Sequence, residues 1–292
     1  MSGYKIRFNG LYRLYDAYSW RLTRRAKKAW QTGQVIEGKF LQDFEAKVAD
    51  QSLRKFAVGV GSATDGLYFA MKSLGLTKDS VIACPVLTYI ATGGAIKRLG
   101  ARIEYIDVDQ YGSIGDLKNT PKVDAVVYVN LYGNPADYDR LRKFCDDRRI
   151  PLIEDGAQSQ GAVYKDIPSG KMGDISVLSF APSKNLPCFG TGGLVLTDSV
   201  DVYNKVKALR KHGKGTKEYG YNSFLSDDHA NQLLLLLDKF PKLQKMRQKI
   251  YKRYQKQLDN IQFILKQDKD IKPSYHKCVI MTNQRTELKS YL

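Results

Sequence analysis

The sequence predicts an α/β protein with a mostly parallel central sheet and helices on both faces. Short apolar runs alternate along the chain with segments of helical periodicity, which is the pattern of successive strand and helix units. With 292 residues, 43% of them hydrophobic, the chain is long enough for one substantial core and a smaller appendage. The lack of a long low-complexity tract also favours a globular protein over a disordered one.

The apolar runs place the strands, and the segments between several of them place the helices. A first strand is predicted to begin at Phe56 and to lead into a glycine turn. Further strands are predicted at Val81 to Cys84, Arg102 to Ile106, Ala125 to Val129, Leu152 to Glu154, Ile175 to Phe180 and Leu194 to Thr197. Helices are predicted around residues 65 to 75, 88 to 98, 137 to 147 and 200 to 211.

A long helical pattern occupies the last quarter of the chain. It runs from Asp227 to about Leu258, and we expect it to be kinked or broken at Pro241, which lacks a backbone donor. The helix would leave the large domain and enter a second, smaller one. We therefore predict a large cofactor-binding domain over residues 1–245 and a partial small domain over residues 246–292.

The segment after the first strand has the features of an anion-binding turn. Gly59 to Gly66 passes from apolar residues into small ones, and a helical pattern follows from Leu67. The free N–H groups at the start of such a helix favour a phosphate. A dinucleotide fingerprint fits less well, because Thr64 stands where its third glycine would fall. A tight turn without a ligand remains an alternative for this segment alone.

Lys184 and Asp155 are the candidate catalytic residues. Asp155 ends one predicted strand and Lys184 follows a later one, so both side chains can meet at the ligand-binding edge of a parallel sheet. Pyridoxal phosphate needs an amine, an anion against its ring nitrogen and donors for its phosphate. All three have candidates here. Alternatively, Lys184 is one of many solvated lysines and Asp155 caps a turn.

Blocks of sequence in a constant order give the chain a resemblance to a known family. They include Gly59-Val60-Gly61-Ser62-Ala63-Thr64-Asp65, Pro85 to Thr92, Asn130 to Asp137, Ile153 to Ala162, Lys184-Asn185-Leu186, Gly192-Gly193, Leu209 to Gly213 and Gly220-Tyr221-Asn222-Ser223. From near Phe40 to its end, the chain resembles the DegT/DnrJ/EryC1/StrS sugar aminotransferases, which are pyridoxal phosphate enzymes of fold type I. The resemblance implies an aspartate aminotransferase-like large domain.

The resemblance also implies a role for each candidate residue. Lys184 would bind the cofactor aldehyde covalently and shuttle protons, and Asp155 would pair with the pyridinium nitrogen. The remaining cofactor contacts would be Tyr89 stacked on the ring, Gln158 near the phenolic oxygen, Ala63, Thr64 and Ser179 on the phosphate, and Asn222 on the phosphate of the neighbouring subunit. From the residues alone, Tyr89 could instead serve packing, Ser179 could bond to backbone, and Asn222 could belong to an ordinary loop.

The activity that the resemblance implies is amino-group transfer from glutamate to a nucleotide-linked keto sugar, by a homodimer. The loop from Lys184 to Gly192-Gly193 resembles the longer version found in family members that aminate C3, and this likeness favours C3 over C4. Thr191 departs from the acid usual in that loop, and Phe224 and His229 stand where relatives commonly have arginine and glutamine. The alternatives are a catalytically inactive pyridoxal phosphate-binding homologue that acts as a partner or regulator, and a basic binding module without a cofactor. The resemblance also makes the C-terminal domain look cut short at Leu292.

Composition limits the other classes of function. The net charge of +17 raises the question of nucleic acid, but no helix-turn-helix, zinc-finger or RNA-binding signature accompanies the basic helices, so nucleic acid is not predicted as a partner. No apolar run is long enough for a membrane span, and the N-terminus lacks a signal-peptide pattern, so we expect a soluble cytoplasmic protein. The four cysteines form no Cys-x-x-Cys pair, so we expect buried reduced thiols and no metal site.

Overall fold

The computed structural model describes residues 10–258, 260–266 and 269–292. The helices in these ranges are α1 (Leu11–Trp30), α2 (Lys39–Gln51), α3 (Ala63–Ser73), α4 (Ile90–Leu99), α5 (Tyr138–Arg148), α6 (Val200–Leu209), α7 (Asp227–Gln257) and α8 (Arg285–Tyr291). The strands are β1 (Phe56–Val60), β2 (Val81–Pro85), β3 (Arg102–Ile106), β4 (Ala125–Val129), β5 (Leu152–Asp155), β6 (Val163–Tyr164), β7 (Ile167–Pro168), β8 (Ile175–Ser179), β9 (Gly193–Thr197), β10 (Gln262–Phe263), β11 (Ile271–Lys272) and β12 (Ile280–Met281).

Seven strands form the central sheet in the spatial order β1-β9-β8-β5-β4-β2-β3. Four neighbouring pairs are parallel, namely β8–β5, β5–β4, β4–β2 and β2–β3. Strand β9 runs against both of its neighbours, β8 and β1. The sheet is therefore mixed but mostly parallel, which confirms the predicted fold class. Strand β9 is antiparallel because the loop after β8 folds directly back instead of crossing over through a helix.

Alternate residues of the strands pack against helices on opposite faces of the sheet. Ala125 and Val127 of β4 lie in one apolar cluster with side chains of α3, α4 and α6. Val126 and Tyr128 belong to a second cluster with α5. Strands β8 and β9 contribute to a third cluster with α1, α2 and α7. Because successive strand residues point to opposite faces, both faces are covered and the strand ends are left to form a site.

Helix α7 contains Pro241, where the sequence predicts a kink or a break. The helix is continuous from Asp227 to Gln257, so a break at Pro241 is wrong and a kink stays a prediction. Proline removes one backbone hydrogen bond, whereas Leu233, Leu236 and Leu237 anchor the preceding turns in the core. The predicted boundary between residues 245 and 246 falls inside this helix, and the division into two domains stays a prediction.

The short strands near the C-terminus make two separate pairings. Strand β10 pairs with β12. Strand β11 pairs instead with β6, which lies between β5 and β8 in the chain. Segments beyond residue 260 therefore lie against the part of the molecule that contains the central sheet.

Two composition-based expectations concern thiols and membranes. Cys84, Cys145 and Cys188 are buried, but Cys278 is exposed, so the expectation of buried thiols is wrong at that position. No helix within the described ranges combines the length and apolarity that a bilayer crossing needs. The same residues contain no cluster of three or more histidine, cysteine or acidic side chains arranged to hold a metal.

Candidate active site

Two cavities at opposite ends of the sheet are candidates for a ligand site. One, of about 870 Å³, lies where β5 and β8 begin and is lined by residues such as Arg54, Arg142 and Asp174. The other, of about 470 Å³, lies where β4, β5 and β8 end, and β1 and β2 lead into it. Ligands of open α/β sheets bind at the carboxyl ends of the strands, so the second cavity is the stronger candidate.

The second cavity brings together seven of the eight candidate residues. Its lining includes Ala63, Thr64, Tyr89, Asp155, Gln158, Ser179 and Lys184. Asn222 is not part of the lining and is exposed elsewhere. The seven residues come from four separate segments of the chain, which meet at the shared edge of the sheet.

Lys184 lies in the loop between β8 and β9, close to the ring of Tyr89. Its backbone N–H donates to the carbonyl oxygen of Ala181 at 2.9 Å, which fixes a turn just after β8. The Nζ atom is 5.8 Å from the centroid of the Tyr89 ring. Burial lowers the pKa of the Lys184 ammonium; Asp155 opposes this change and the positive charge of Lys277 adds to it. A lowered pKa is what an amine needs to act as a nucleophile.

Asp155 is the last residue of β5 and is only 4% exposed. Its carboxylate accepts a hydrogen bond from the Thr92 hydroxyl at 2.7 Å and another from the Ala157 N–H at 3.1 Å. Burial raises the pKa of Asp155, while these two donors and the Lys184 charge work against that rise. A buried carboxylate in a cavity wall is stabilised by a cationic partner.

Tyr89 precedes the first residue of α4 and presents its ring at the mouth of the cavity. The side chain is 64% exposed, so packing in the core does not explain its position. On the next turn, Thr92 is buried, and its hydroxyl lies 2.8 Å from that of Thr88. The start of α4 thus supplies both an aromatic surface and the hydroxyl that contacts Asp155.

The start of α3 forms the anion-binding turn. The Ser62 hydroxyl caps the helix by accepting from the Asp65 N–H at 3.1 Å. Behind the turn, a Cβ atom built on Gly193 would lie 2.6 Å from the backbone nitrogen of Ala63. Glycine at 193 therefore allows β9 to support the turn closely. The first N–H groups of the helix and its positive dipole end are available to an anion.

Gln158 and Ser179 lie on the wall between these features. The Oε1 atom of Gln158 accepts from the Tyr132 N–H at 2.8 Å, which fixes the orientation of the amide. Ser179 ends β8 and is largely buried. Its Oγ accepts from the Ala181 N–H at 3.5 Å, a long contact that allows the hydroxyl to turn towards a ligand.

Asn222 lies on a loop that is tied to the anion-binding turn from outside. The neighbouring Ser223 hydroxyl accepts from the Gly61 N–H at 2.9 Å and donates to Asp65 at 2.8 Å. Asp65 also forms an ion pair of 2.6 Å with Arg98, whose guanidinium carbon is 3.9 Å from the Tyr221 ring centroid. These contacts hold Asn222 at the surface beside α3.

Several residues of the cavity were not anticipated from the sequence. They are Thr88, Thr92, Tyr132, His276 and Lys277. Thr92 had a usable signal, because it lies three residues after Tyr89 in a predicted helix and so faces the same side. Residues 276 and 277 had none, because no pattern in the sequence shows which distant loops their segment contacts.

His276 is kept neutral. Burial, with the nearby charges of Lys184, Lys277 and Arg247, lowers the pKa of its imidazole to about 3. Its Nδ1 atom lies 2.8 Å from Oδ1 of Asn185, the residue after Lys184. His276 therefore acts as a polar, uncharged part of the wall.

The chain is similar to a known protein family and to a solved structure. The model of the DegT/DnrJ/EryC1/StrS aminotransferase family matches residues 20–292. The X-ray crystal structure of S. venezuelae DesV in complex with a ketimine intermediate superposes with a TM-score of 0.93 at 30% identity, covering 98% of this chain and 80% of that one.

Curated relatives have several different names. The dTDP-3-amino-3,4,6-trideoxy-alpha-D-glucose transaminase of Streptomyces venezuelae is 31% identical over 89% of this chain and 72% of its own length. The UDP-4-amino-4,6-dideoxy-N-acetyl-beta-L-altrosamine transaminase of Campylobacter jejuni is 34% identical over 70% of this chain and 57% of its own length. The pleiotropic regulatory protein of Geobacillus stearothermophilus is 28% identical over 95% of this chain and 78% of its own length.

Proposed function

The chain belongs to the DegT/DnrJ/EryC1/StrS family of pyridoxal phosphate-dependent sugar aminotransferases, and we propose that it transfers an amino group from glutamate to a nucleotide-linked keto sugar. The family assignment confirms the resemblance read from the sequence. The observation that carries the proposal is that Lys184 and Asp155 line one cavity that also contains the start of α3.

The residues present fit pyridoxal phosphate. Asp155 is a buried carboxylate in the cavity wall and matches a protonated ring nitrogen. Lys184 is an amine with a lowered pKa in the same cavity and matches the aldehyde carbon. When bound, the cofactor supplies the electron sink for negative charge at the reacting carbon.

Lys184 is the proposed acid and base of the reaction. With cofactor and amino donor bound, Nζ of Lys184 would remove the proton from the donor's α-carbon. The same atom would later return a proton, so that Lys184 would serve as both base and acid. Burial supports this role, because it lowers the pKa of Lys184 towards the range where both forms are accessible.

The other lining residues are proposed to hold and orient the cofactor. Ala63, Thr64 and Ser179 would bind its phosphate at the start of α3, where backbone donors and the helix dipole favour an anion. Tyr89 would stack on the ring. The amide oxygen of Gln158 is engaged by Tyr132, so its NH₂ group is the part we assign to the phenolic oxygen of the ring.

We propose a homodimer in which Asn222 contacts the phosphate bound by the partner. Its exposed position outside the cavity of its own chain supports a role towards another molecule. The contacts of Ser223 and Tyr221 to the start of α3 give this loop a fixed position next to the anion-binding turn.

For the acceptor we propose a nucleotide sugar with the keto group at C3. The Streptomyces venezuelae relative is named for transfer at this carbon and matches most of the chain, whereas the Campylobacter jejuni relative is named for C4 and matches less of it. Incubating the protein with glutamate and matched 3-keto and 4-keto nucleotide sugars, and following the nitrogen by mass, tests both the donor and the carbon.

A second candidate is a pyridoxal phosphate-binding protein that does not catalyse. The Geobacillus relative, named as a regulatory protein, favours this reading. One measurement distinguishes the two candidate functions. Cofactor that is bound but not aminated by glutamate supports the regulator, whereas nitrogen transfer supports the enzyme.

A further inference from the structure

We propose that His276 is a specificity-determining residue whose Nε2 atom accepts a hydrogen bond from a donor group of the sugar that enters the site. The inference rests on the proposed function and goes beyond it, because it assigns one residue to the recognition of the sugar. It starts from the position of His276, which lines the same cavity as Lys184 and Asp155.

Backbone hydrogen bonds hold His276 in the cavity wall. The Ser274 N–H donates to the Gly133 carbonyl at 2.8 Å, and the His276 N–H donates to the Tyr132 carbonyl at 3.2 Å. Gly133 suits this close approach, because a Cβ there would lie 3.1 Å from the His276 nitrogen. The segment that bears the imidazole is therefore held against the loop that follows β4.

Asn185 fixes the ring of His276 and determines which ring nitrogen has the proton. The NH₂ group of Asn185 donates to two carbonyls, that of Gln160 at 3.2 Å and that of Ser274 at 3.3 Å. The reverse orientation of the amide would place its oxygen against two carbonyl oxygens, so it is unfavourable. Oδ1 of Asn185 can then only accept, and it lies 2.8 Å from Nδ1 of His276. In a neutral ring the proton is therefore on Nδ1, and Nε2 has a lone pair.

The surroundings of His276 preserve this state. Burial lowers the pKa of its imidazole to about 3, and the charges of Lys184, Lys277 and Arg247 add to the effect. The Arg247 guanidinium also donates to the backbone carbonyl of Asn185 at 2.9 Å, which supports the residue that orients the ring. The lone pair on Nε2 is thus retained throughout the neutral pH range.

The lone pair on Nε2 is open to the cavity. From within the described residues no hydrogen bond reaches this atom, and it is not one of their fully buried polar atoms that lack a partner. Because His276 lines the cavity, a bound ligand can reach Nε2. An acceptor in a cavity wall favours a ligand group that donates and disfavours a second acceptor or an anion.

A donor group of the sugar fits this acceptor better than the other reactants do. The cofactor would present its phosphate and phenolic oxygen, which accept, and its ring nitrogen is assigned to Asp155. Glutamate offers carboxylates, which also accept, and its amino group is the one that reacts. A sugar has hydroxyls, and an acetamido sugar also has an amide N–H. A site that bonds such a group discriminates against analogues that lack it.

The tautomer is tested on the cofactor-loaded protein by nuclear magnetic resonance. The chain has three histidines, so isotopic labelling of histidine nitrogens gives a simple spectrum, and His276→Gln identifies the resonances of His276. We expect a protonated Nδ1 and an unprotonated Nε2 between pH 5 and pH 8, with a shift of the Nε2 resonance when UDP-glucose binds. A proton on Nε2, or a charged ring at pH 5, would overturn the proposal.

Two substitutions separate the roles of the two ring nitrogens. His276→Asn places an amide N–H near the position of Nδ1, so it keeps a donor to Asn185 and removes the acceptor. His276→Gln places an amide oxygen near the position of Nε2, so it keeps the acceptor. His212→Asn is the matched control, because His212 is exposed, lies outside the cavity and has a positive φ of 59° that asparagine tolerates.

Calorimetry with nucleotide sugars that have no keto group measures the hydrogen bond without turnover. UDP-glucose, its 2-, 3-, 4- and 6-deoxy analogues and UDP-N-acetylglucosamine are titrated into the cofactor-loaded proteins. One deoxy analogue should bind the wild type about 3- to 10-fold more weakly than UDP-glucose, the range for one neutral hydrogen bond. This difference should disappear in His276→Asn and persist in His276→Gln and His212→Asn. A loss in His276→Asn that is confined to UDP-N-acetylglucosamine would assign the donor to the amide N–H.

Each remaining outcome has a defined meaning. The same preference among all these sugars in the wild type and in His276→Asn, or no measurable binding of any of them by the wild type, would overturn the proposal. Where thermal unfolding shows that His276→Asn disturbs the fold, the tautomer of the wild-type ring decides. Failure of glutamate to transfer nitrogen would refute the proposed function and would leave the tautomer and the binding results standing.

Discussion

The hydroxyl of Thr92 donates a 2.7 Å hydrogen bond to Oδ2 of Asp155. This contact joins the first turn of α4 to the end of β5, and it is shorter than the 3.1 Å hydrogen bond from the Ala157 N–H to the same carboxylate. It stabilises the ionised form of Asp155 against the effect of burial. Asp155 is the proposed partner of the cofactor ring, and its protonation state therefore depends on Thr92, a residue that need not touch the cofactor.

Replacing Thr92 by valine removes this donor at nearly constant volume. We expect the pKa of Asp155 to rise and cofactor affinity to fall by about tenfold, as for loss of one hydrogen bond to a charged group. Because the neutral carboxyl binds a pyridinium less well, the loss should grow as the pH falls. Cofactor titrations between pH 6 and pH 8.5 on the variant and on the wild type measure this. A pH-independent affinity equal to that of the wild type would argue against the coupling.

Replacing Asp155 by asparagine should separate binding from catalysis. A neutral amide no longer keeps the ring nitrogen protonated, while the phosphate contacts remain. We expect bound cofactor with kcat lowered by about 100- to 1,000-fold, the scale for one preorganised electrostatic partner. Single-turnover spectra with glutamate give the rate. An unchanged rate at saturating glutamate would contradict the assigned role, and Asp155→Glu should recover part of the loss.

The proposed dimer has a test in mixed subunits. Asn222→Ala should weaken cofactor binding in its own homodimer. In a mixed dimer, Asn222 of the Lys184→Ala subunit should complete the site of the Asn222→Ala subunit. Half of the sites in the mixed dimers should therefore regain affinity for the cofactor. Sedimentation and cofactor titration on the same samples measure both properties. A monomer that binds cofactor tightly, or mixed dimers without recovery, would refute the arrangement.

Asp198 makes a contribution to stability that is unrelated to catalysis. It contacts Arg54 at 2.9 Å and Lys171 at 2.6 Å and accepts from the Lys55 N–H at 2.9 Å. The pKa of Asp198 is lowered to about 2, by the Lys171, Lys55 and Arg54 contacts against an opposing effect of burial. Its side chain is 35% exposed, so solvent screening reduces the effect.

We expect Asp198→Asn to lower the free energy of unfolding by about 1 kcal/mol at pH 7. Because the pKa of Asp198 is lower in the folded than in the unfolded protein, its ionisation stabilises the fold at pH values above the unfolded pKa, near 3.9. This stabilisation is lost as the pH falls through the folded pKa. The difference between wild type and variant should therefore be constant from pH 7 to pH 5 and vanish near pH 2. Urea unfolding measures it, and the exposed Asp166→Asn should show no change. A difference that persists at pH 2 would be inconsistent with this origin.

The sequence could predict the elements of the sheet because their signals are local. The strand at Arg102 to Ile106 and the strand at Ala125 to Val129 have the predicted bounds in the structure. Asp155 and Lys184 could be paired because both follow strands that end at one edge. The reversal of β9 was not predicted, since a loop folding back and a loop crossing over have no distinct local periodicity.

The parts of the site that escaped prediction depend on contacts between distant segments. Lys277 reaches the cavity through the pairing of its backbone with Tyr132, and no periodic pattern encodes that contact. The continuity of α7 through Pro241 likewise depends on packing, which offsets the hydrogen bond that a proline removes from a helix. Local chemistry identified the candidate residues Lys184 and Asp155, and tertiary contacts determined their surroundings.

The covalent role of Lys184 is the central claim, and borohydride reduction tests it most directly. The protein is loaded with pyridoxal phosphate, reduced, digested and analysed by mass spectrometry, with Lys184→Ala treated in parallel after circular dichroism has shown that its fold is intact. We expect loss of the visible absorption band and a stable adduct on the peptide that contains Lys184, with no site-specific adduct in the variant. An adduct on another lysine, or the same labelling in Lys184→Ala, would contradict it.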